Sequence, residues 1–360
     1  MTPDAVDFTR LKQALVIKLR HHGDVLLASP VFAALKAQAP ALEIDALVYD
    51  DTEEMLAQHP AIRSVYVVGR QWRTLSPLGR VAAEWALFRR LRAARYDLLV
   101  HLTDHPRGAW LARALRVRAS VAPRRGGRWW RSSFSHLYAT VGGGRRHTVE
   151  THLDALRRIG IYPAPEARRL VLQPGAAAYA VVDSLLAANG LSGRSFVHLH
   201  PASRWRFKCW SEEQTAELID RLQGEGHRVV MTAAPSAAEK LLTDRVIELC
   251  RLPPVSFAGA LSLKQLAALT HRARLFIGVD SAPMHIAAAM QTPTVALFGP
   301  SGEIEWGPWR VPHRIVASSD HPCRPCGLDG CGGGKVSDCL TSIAAAAVHD
   351  AVRALLRETA

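Results

Sequence analysis

The sequence predicts an α/β protein with two doubly wound domains, each built around a parallel sheet. Short apolar strands alternate with helical segments twice along the 360 residues, which is typical of parallel sheets covered by helices on both faces. The chain is too long for one ordinary core, and Pro163, Pro165 and Pro174 interrupt the pattern near its middle. We predict a first domain at 1–170, a linker near 163–178, a second domain at 171–342, and a C-terminal segment at 343–360 placed to pack back across both domains.

In the first half, each predicted strand is a short apolar run followed by a polar turn. The first helix is stopped by Pro40, and the third is long and basic. The pattern weakens between Arg116 and Arg146, where the positive charge rises. The predicted strands are 14–19, 44–48, 65–68 and 97–102, and the predicted helices are 25–38, 52–58, 79–94, 110–115 and 148–159.

The second half repeats this design, with Ser211 as a favoured helix cap. Two such domains bind ligands at the carboxyl ends of their strands, so a cleft between them is the expected site. The predicted strands are 195–200, 228–232, 255–258, 275–279 and 294–298, and the predicted helices are 211–223, 236–250, 262–272, 284–290 and 343–356.

Composition describes a soluble, basic protein. The net charge is +13 and the pI is near 10, which indicates an acidic partner such as nucleic acid, anionic lipid or a phosphorylated substrate. No apolar run is long enough to cross a bilayer. Because Lys12 and Lys18 interrupt the N-terminal apolar stretch, we expect no signal peptide. We expect a cytoplasmic protein whose six cysteines are not a disulfide framework.

Three segments at predicted strand ends carry candidate chemistry. Asp280 and Ser281 open a helix after a strand, where free N–H groups favour an anion; the alternative is that Asp280 only caps the helix. Asp24 follows the first strand and is a candidate general base or, alternatively, a helix cap. The segment 200–210 presents a hydroxyl and three cations, which favours a phosphate site over a merely solvated loop. Those residues are Ser203, Arg204, Arg206 and Lys208.

Two further clusters stand apart from these strand ends. Four arginines surround two tryptophans in the segment 124–131, namely Arg124, Arg125, Arg128 and Arg131. Four thiols lie close together in a glycine-rich loop, namely Cys323, Cys326, Cys331 and Cys339. They are candidates for a structural zinc site or for free or reversibly oxidised thiols. The fingerprints of a nicotinamide dehydrogenase, a P-loop and a nucleophile elbow are absent from the sequence.

The motifs together resemble the ADP-heptose-dependent heptosyltransferases of the lipopolysaccharide inner core. These are glycosyltransferases of the GT-B architecture, with two Rossmann-like domains facing across a cleft. The resemblance covers nearly the whole chain and is strongest to the branch that adds the third heptose. It rests on Arg20 to Leu27 with Pro30, Tyr49 to Thr52, Ser203 to Trp210, Leu261 to Leu263, and Gly278 to Ser281 with Pro283, Met284 and His285.

The resemblance implies an inverting transfer without a metal or other cofactor, in which ADP-heptose is the donor substrate. Asp24 is implied as the base, and Lys208 and Ser203 as pyrophosphate ligands with the helix start at Ser281 and Ala282. Arg204 is a further candidate for donor binding. Asp280 and His285 are implied at the sugar, and Leu261 and Leu263 at the adenine. The acceptor is implied to be lipid A–inner core at an anionic membrane surface. This places the protein on the inner face of the inner membrane. We expect the arginines of 124–131 to bind the acceptor, because they lie in the first domain, away from the nucleotide motifs.

The sequence departs from the family at two points. Many relatives have Thr-Gly where this chain has Ser281-Ala282, and paired threonines where it has Ser203-Arg204, so the phosphate contacts are expected to be rearranged. Alternatives are addition of the first or second heptose, a nucleic-acid-binding protein, which would explain the charge, and a sugar-nucleotide epimerase, which would share the fold. The sequence leaves the oligomeric state open.

Overall fold

The chain forms two compact units, each described here by itself. The computed structural model describes residues 5–140, 145–191 and 196–359. The units are Met1–Gln173 and Pro174–Ala360, and the boundary between them lies within the segment 163–178. The first residue of the strand predicted at 195–200, and residues 141–144 of the weakly patterned segment, lie outside the described residues.

The first unit contains a parallel sheet of six described strands. They are β1 (Gln13–Ile17), β2 (Glu43–Tyr49), β3 (Ser64–Val68), β4 (Leu98–His101), β5 (Ala119–Pro123) and β6 (His136–Tyr138). Its helices are α1 (His22–Leu26), α2 (Ser29–Gln38), α3 (Pro77–Ala93), α4 (Pro106–Leu115), α5 (Arg128–Arg131) and α6 (Thr148–Arg158). Short 3₁₀ segments span Phe8–Arg10, Asp50–Met55, Arg70–Thr74 and Glu166–Arg168.

The second unit contains another parallel sheet of six described strands. They are β7 (Phe196–His200), β8 (Arg228–Met231), β9 (Val255–Ser256), β10 (Leu275–Val279), β11 (Thr294–Phe298) and β12 (His313–Ala317). Its helices are α7 (Ala176–Ala188), α8 (Glu212–Gly224), α9 (Ala237–Leu249), α10 (Leu263–Arg272), α11 (Ala282–Ala289), α12 (Glu303–Trp306), α13 (Asp338–Thr341) and α14 (Ala345–Glu358). Its 3₁₀ segments span Arg206–Lys208 and Cys331–Gly333.

Both sheets have the doubly wound strand order, which confirms the predicted fold class. The orders are β3-β2-β1-β4-β5-β6 and β12-β11-β10-β7-β8-β9. The chain therefore reverses its winding direction between β1 and β4 in one sheet, and between β7 and β10 in the other. Loops diverge at such a reversal and leave a crevice at the carboxyl ends of the strands. Both candidate strand-end sites lie at these two positions.

The structure differs from the predicted elements where the local pattern was weak. The strands β5, β6 and β12 were not predicted; β5 contains alanine and serine, which are poor indicators of a strand. The alanine-rich helix α7 was also missed, because the neighbouring prolines suggested an irregular linker. The predicted helix 25–38 is divided into α1 and α2, and Pro30 stands in the first turn of α2. Proline removes a helical hydrogen bond and therefore favours a new helix start.

The C-terminal helix α14 packs on its own unit. It contacts α8 and the strands β11 and β12, and it buries apolar side chains that include Val348, Val352 and Leu355. Trp210 is 2% exposed, and its indole N–H donates to Ile343 O at 2.9 Å. The segment before α14 therefore anchors the end of the cation-bearing loop. Within the described residues, no helix is long and apolar enough to cross a membrane.

Candidate active site

In the first unit, Asp24 lies in α1 just beyond the carboxyl end of β1. The strand is buried between β2 and β4, and α1 begins at His22. The Asp24 side chain is 23% exposed and has Lys18 Nζ 3.5 Å from its Oδ1. The N-cap position of α1 belongs to His21, so Asp24 is not the helix cap. Its carboxylate is held by an ammonium and remains accessible.

Lys18 occupies a buried position beneath Asp24, and sequence analysis did not assign it a function. It is 4% exposed, and its Nζ lies 2.9 Å from His152 Nε2 and 3.4 Å from Leu102 O. His152 Nδ1 is 3.0 Å from Leu27 O, and since a carbonyl only accepts, Nδ1 carries the hydrogen. His152 Nε2 therefore accepts from Lys18. The feature of the sequence that could have indicated Lys18 was its position as a lysine within the otherwise apolar strand predicted at 14–19.

Burial shifts the pKa of both buried members of this group. Burial lowers the pKa of Lys18, and the Asp24 carboxylate opposes that shift. Burial also lowers the pKa of His152 well below its usual value, and the Lys18 charge adds to that effect. His152 is therefore neutral at physiological pH, consistent with its role as an acceptor. The group fixes the position of the Asp24 carboxylate through one ammonium with three donors.

The edge of the first-unit site is lined by ion pairs. Asp104, in the loop after β4, lies 2.5 Å from Arg20 and 3.8 Å from Arg125. Arg125 thus connects the predicted arginine cluster to the strand edge that carries Asp24. All four arginines of that cluster are exposed, and its Trp130 is buried with its indole N–H donating to Pro123 O at 3.0 Å.

In the second unit, Lys208 and Asp280 meet at the carboxyl ends of the adjacent strands β7 and β10. Lys208 Nζ lies 2.6 Å from Asp280 Oδ2, and the side chains are 24% and 7% exposed. The backbone N–H of Asp280 donates to Leu297 O at 3.2 Å. Asp280 therefore belongs to an ion pair rather than to a helix cap. The structure thus brings together two predicted site residues that are 72 positions apart in the sequence.

The turn between β10 and α11 leaves the start of a helix facing this pair. Ser281 is the N-cap residue of α11, but its hydroxyl donates to Val279 O at 3.3 Å instead of capping the helix. Ala282 and Pro283 form the first turn, and His285, one turn on, is 3% exposed. Uncapped N–H groups and the helix dipole make this turn attractive to an anion.

The loop from β7 to α8 holds the other predicted phosphate ligands. Ser203 is buried, and its Oγ accepts from the Trp205 N–H at 3.3 Å. Arg204 is exposed, with its guanidinium 5.6 Å from the centre of the Trp205 ring. Arg206 pairs with Glu212 at 2.9 Å. Lys208 is therefore the cation of this loop that faces Asp280, whereas Arg206 is directed to α8.

The predicted adenine residues flank the start of α10. Leu261 packs against the apolar cluster formed around α7 and α10, and Leu263 is the first residue of α10 and is half-buried. Ser262, the N-cap residue of α10, forms a reciprocal capping box with Gln265. This box fixes the direction in which the chain enters α10.

A second carboxyl group of this unit, beyond the carboxyl end of β11, was not predicted as a site residue from the sequence. Glu305 lies in α12, which follows β11, the strand beside β10. Burial raises the pKa of Glu305, and the charge of Asp280 raises it further. The feature of the sequence that could have indicated Glu305 was the presence of two glutamates, Glu303 and Glu305, soon after the end of the strand predicted at 294–298. Glu303 accepts from Arg324 at 3.2 Å.

The four clustered thiols do not form a metal site in the part of the chain that the structure describes. No group of three or more His, Cys, Asp or Glu side chains there is arranged to hold a metal ion. Cys339 is buried, whereas Cys323, Cys326 and Cys331 are exposed. Burial raises the pKa of the Cys339 thiol. This arrangement gives no support to the structural zinc alternative.

Comparison with known proteins agrees with these motifs. Residues 84–336 match the model of glycosyltransferase family 9 (heptosyltransferase). Two proteins named lipopolysaccharide heptosyltransferase 3, from Escherichia coli and its strain K12, are 36% and 35% identical over 295 residues. These alignments cover 81% of this chain and 84% and 83% of the relatives.

Solved structures share the fold. A family 9 glycosyl transferase from Veillonella parvula has a TM-score of 0.81 at 22% identity, covering 96% of this chain and 97% of that one. E. coli ADP-heptose heptosyltransferase II has a TM-score of 0.75 at 20% identity, covering 96% and 99%. The E. coli heptosyltransferase WaaC with ADP has a TM-score of 0.69 at 20% identity, covering 97% and 100%. These neighbours confirm the predicted GT-B class. The family match and the identity to relatives over most of their length show that the chain belongs to glycosyltransferase family 9, the heptosyltransferases.

Proposed function

We propose that this protein transfers heptose, with inversion, from ADP-L-glycero-D-manno-heptose to the lipopolysaccharide inner core and adds the third heptose. Support for the third position comes from the two relatives named heptosyltransferase 3, which align over most of both chains. Support for the donor comes from solved neighbours described with ADP and with an ADP-fluoroheptose.

On the donor side, the Lys208–Asp280 pair carries the proposal. The ammonium of Lys208 has three N–H donors, so it can keep Asp280 and also bind an oxygen of the diphosphate. The Ser203 hydroxyl, Arg204 and the N–H groups at Ser281 and Ala282 supply further contacts to that diphosphate. As the bond between the anomeric carbon and the phosphate oxygen breaks, negative charge develops on ADP, and fixed donors stabilise it.

The other residues proposed to bind the donor contact its sugar and its adenine. Asp280 and His285 bind sugar hydroxyls in this proposal, with Asp280 kept in position by Lys208. Leu261 and Leu263, at the start of α10, contact the adenine. No divalent metal is needed, because a lysine and a helix start neutralise the diphosphate.

On the acceptor side, Asp24 acts as the general base. Its carboxylate takes the proton of the acceptor hydroxyl while that oxygen attacks the anomeric carbon. The group is partly exposed, as a base must be to reach a substrate, and Lys18 holds it in place. Arg124, Arg125, Arg128 and Arg131 bind the phosphorylated acceptor. The acceptor is a membrane lipid, so the protein works as a peripheral protein on the inner face of the inner membrane.

The experiment that tests this function is an ADP-release assay with a panel of acceptors. ADP-heptose is supplied with inner-core lipids that carry no heptose, one heptose or two heptoses. We expect ADP release with the two-heptose acceptor and a product one heptose larger by mass spectrometry. Preference for a shorter acceptor would assign the first or second heptose instead. Conversion of the nucleotide sugar without any acceptor would identify an epimerase.

The same assay tests the arginine cluster. Arg128→Ala combined with Arg131→Ala should raise the acceptor KM and leave the affinity for ADP-heptose unchanged, since these side chains are exposed and belong to the first unit. An unchanged acceptor KM would show that the cluster is only a solvated surface.

A further inference from the structure

The positive charge of the protein is concentrated in one segment of the first unit. Residues 70–131 contain fifteen arginines, no lysine and three acidic residues, Glu84, Asp97 and Asp104, which accounts for +12 of the net +13. Arginine presents a planar group with five donors and binds phosphate in a fork-like geometry. A phosphate-rich partner for this segment is indicated by its charge alone.

The helix α3 in this segment exposes an apolar stripe on its outer side. Of its 17 residues, all of which the structure describes, only Leu87 and Leu91 are buried. Leu78, Val81 and Trp85, here called the α3 stripe, are 84%, 67% and 58% exposed. At about 100° per residue, these three share one face, opposite the face of Leu87 and Leu91. The stripe therefore faces away from the core of its unit.

Two exposed tryptophans lie on helices that follow α3 in the same basic segment. The bidentate ion pair between Arg107 and Glu84 joins α4 to α3, and Trp110 lies one turn beyond Arg107. Trp110 is 65% exposed, and its ring centre lies 5.7 Å from that of Trp129. The Arg113 guanidinium lies 5.9 Å from the Trp129 ring centre. Exposed tryptophan beside arginine is typical of protein surfaces at a membrane interface.

Arginines continue the α3 stripe toward the end of the helix. Arg89 and Arg92 are exposed and lie four and seven residues beyond Trp85, on the same face. An interfacial helix places its apolar face among the acyl chains and its basic side chains at the headgroups. Anionic headgroups attract such arginines through a negative surface potential. Aliphatic residues like Leu78 and Val81 have no comparable role against a nucleic-acid backbone.

We propose that the α3 stripe, with Trp110 and Trp129, inserts into the interface of a bilayer that contains anionic phospholipid, while the surrounding arginines bind the lipid phosphates. This inference rests on the proposed function for its membrane location and identifies the surface responsible for it. None of the three stripe residues is among those assigned above to catalysis, donor binding or acceptor binding. Membrane binding and catalysis can therefore be tested independently.

The test measures binding to vesicles of 70% phosphatidylethanolamine and 30% phosphatidylglycerol by flotation, without donor or acceptor. The variant is Leu78→Gln, Val81→Gln and Trp85→Gln together, since glutamine is a good helix former. The matched control is Leu241→Gln, Leu249→Gln and Leu252→Gln, which removes three apolar side chains that are 54%, 51% and 62% exposed in the second unit. Far-UV circular dichroism checks that all proteins are folded.

We expect the triple variant in α3 to lose about 100-fold in vesicle partition coefficient, because each apolar side chain removed from the bilayer weakens binding by several-fold. The control variant should bind like the wild type. With a deacylated, water-soluble two-heptose acceptor, the α3 variant should keep the wild-type kcat/KM, and with vesicle-embedded acceptor its rate should fall.

Three results would overturn the inference. The first is wild-type vesicle binding by the α3 variant. The second is a wild-type dimer that the variant converts to a monomer with no change in vesicle binding, which would make a second copy the occupant. The third is stripe-dependent binding to duplex DNA in preference to vesicles. If the vesicle results are as expected but no acceptor supports ADP release, the membrane surface stands and the proposed activity fails.

Discussion

Each unit pairs one carboxylate with one lysine at the carboxyl end of its central strands, and the exposures of the two pairs differ. Asp24 is accessible while its partner Lys18 is buried; Asp280 is buried while its partner Lys208 is more accessible. An exposed carboxylate can reach a substrate hydroxyl, and an exposed ammonium can reach a phosphate. The exposure of each partner thus matches the role proposed for it.

If Asp24 is the base, Asp24→Asn should lower kcat by about two to four orders of magnitude. The amide cannot accept the proton, but it fills the same space, so the ADP-heptose affinity should remain. Steady-state kinetics with the two-heptose acceptor and calorimetric titration of the donor measure both quantities. Asp183→Asn, which alters a surface ion pair with Arg272, is the control and should be near wild type. A mutant of Asp24 within a few-fold of wild type would leave the carboxylate a structural role.

Lys18 should act through Asp24, and a double-mutant cycle distinguishes this from a separate contribution. Lys18→Met keeps the length of the side chain and removes the charge, and we expect kcat to fall about tenfold. In the Asp24→Asn background, the same change should have little further effect on kcat. Additive losses would show that Lys18 supports the fold or the substrate independently of Asp24.

At the scale of elements, the donor site is assembled by a loop and a helix start on neighbouring strands. The loop after β7 presents Lys208 and is anchored at its far end by Trp210. The turn after β10 presents Asp280 and the start of α11. Parallel pairing of β7 with β10 sets the register of these two segments. Side chains distant in sequence thereby converge.

Because the loop after β7 supplies Lys208 as a cation for the diphosphate, catalysis should need no divalent metal. Mg²⁺ sites usually provide one or two acidic ligands, and the loop from Pro201 to Trp210 contains none. Wild-type activity should persist in excess EDTA. Lys208→Ala should raise the barrier by about 2–4 kcal/mol, and added Mg²⁺ should not restore its activity. Loss of wild-type activity in chelator, with recovery on Mg²⁺ addition, would make Asp280 a metal ligand.

The close approach of β10 to β7 gives a stability prediction. A Cβ at Gly278 would lie 2.7 Å from the Phe276 ring and 3.0 Å from the His200 carbonyl oxygen. The carbonyl belongs to the paired backbone and cannot move easily. Gly278→Ala should therefore cost about 1–3 kcal/mol. Gly224→Ala, at the end of α8 with open space around it, should be neutral or slightly stabilising. Urea unfolding measures both; equal effects would contradict the packing argument.

At the scale of the whole molecule, sequence reasoning found the repeated design and the strand-end motifs. Apolar runs such as 275–279 are unambiguous because buried parallel strands are continuously hydrophobic. It missed β12, which is at a sheet edge and only partly buried, because such a strand carries a weaker apolar signal. It also missed Lys18 with His152, since 134 residues separate them and only the fold brings them together.

Both units contain fully buried histidines, and these should make the folded protein less stable at acidic pH. Burial lowers the pKa of His101 to about 3 and that of His200 to about 4. Burial also lowers the pKa of His152 and His198 well below 6.5. Between those values and 6.5, the unfolded chain binds protons that the folded chain does not. The free energy of unfolding therefore falls as the pH drops below 6.5.

The contribution of one buried histidine to the pH dependence of the free energy of unfolding can be measured with a single variant. Lowering the pH from 7.5 to 5.5 should reduce the free energy of unfolding by about 1.4 kcal/mol for each buried histidine. His101→Gln should remove that share of the pH dependence, whatever it does to stability at pH 7.5. Carboxyl groups with lowered pKa, such as Glu150, titrate below this window, and the raised pKa of Glu305 affects wild type and variant alike. His313→Gln, at an exposed position, is the matched control for the substitution itself. Urea unfolding at the two pH values gives the comparison, and an equal pH dependence in wild type and His101→Gln would mean that His101 is protonated in the folded protein.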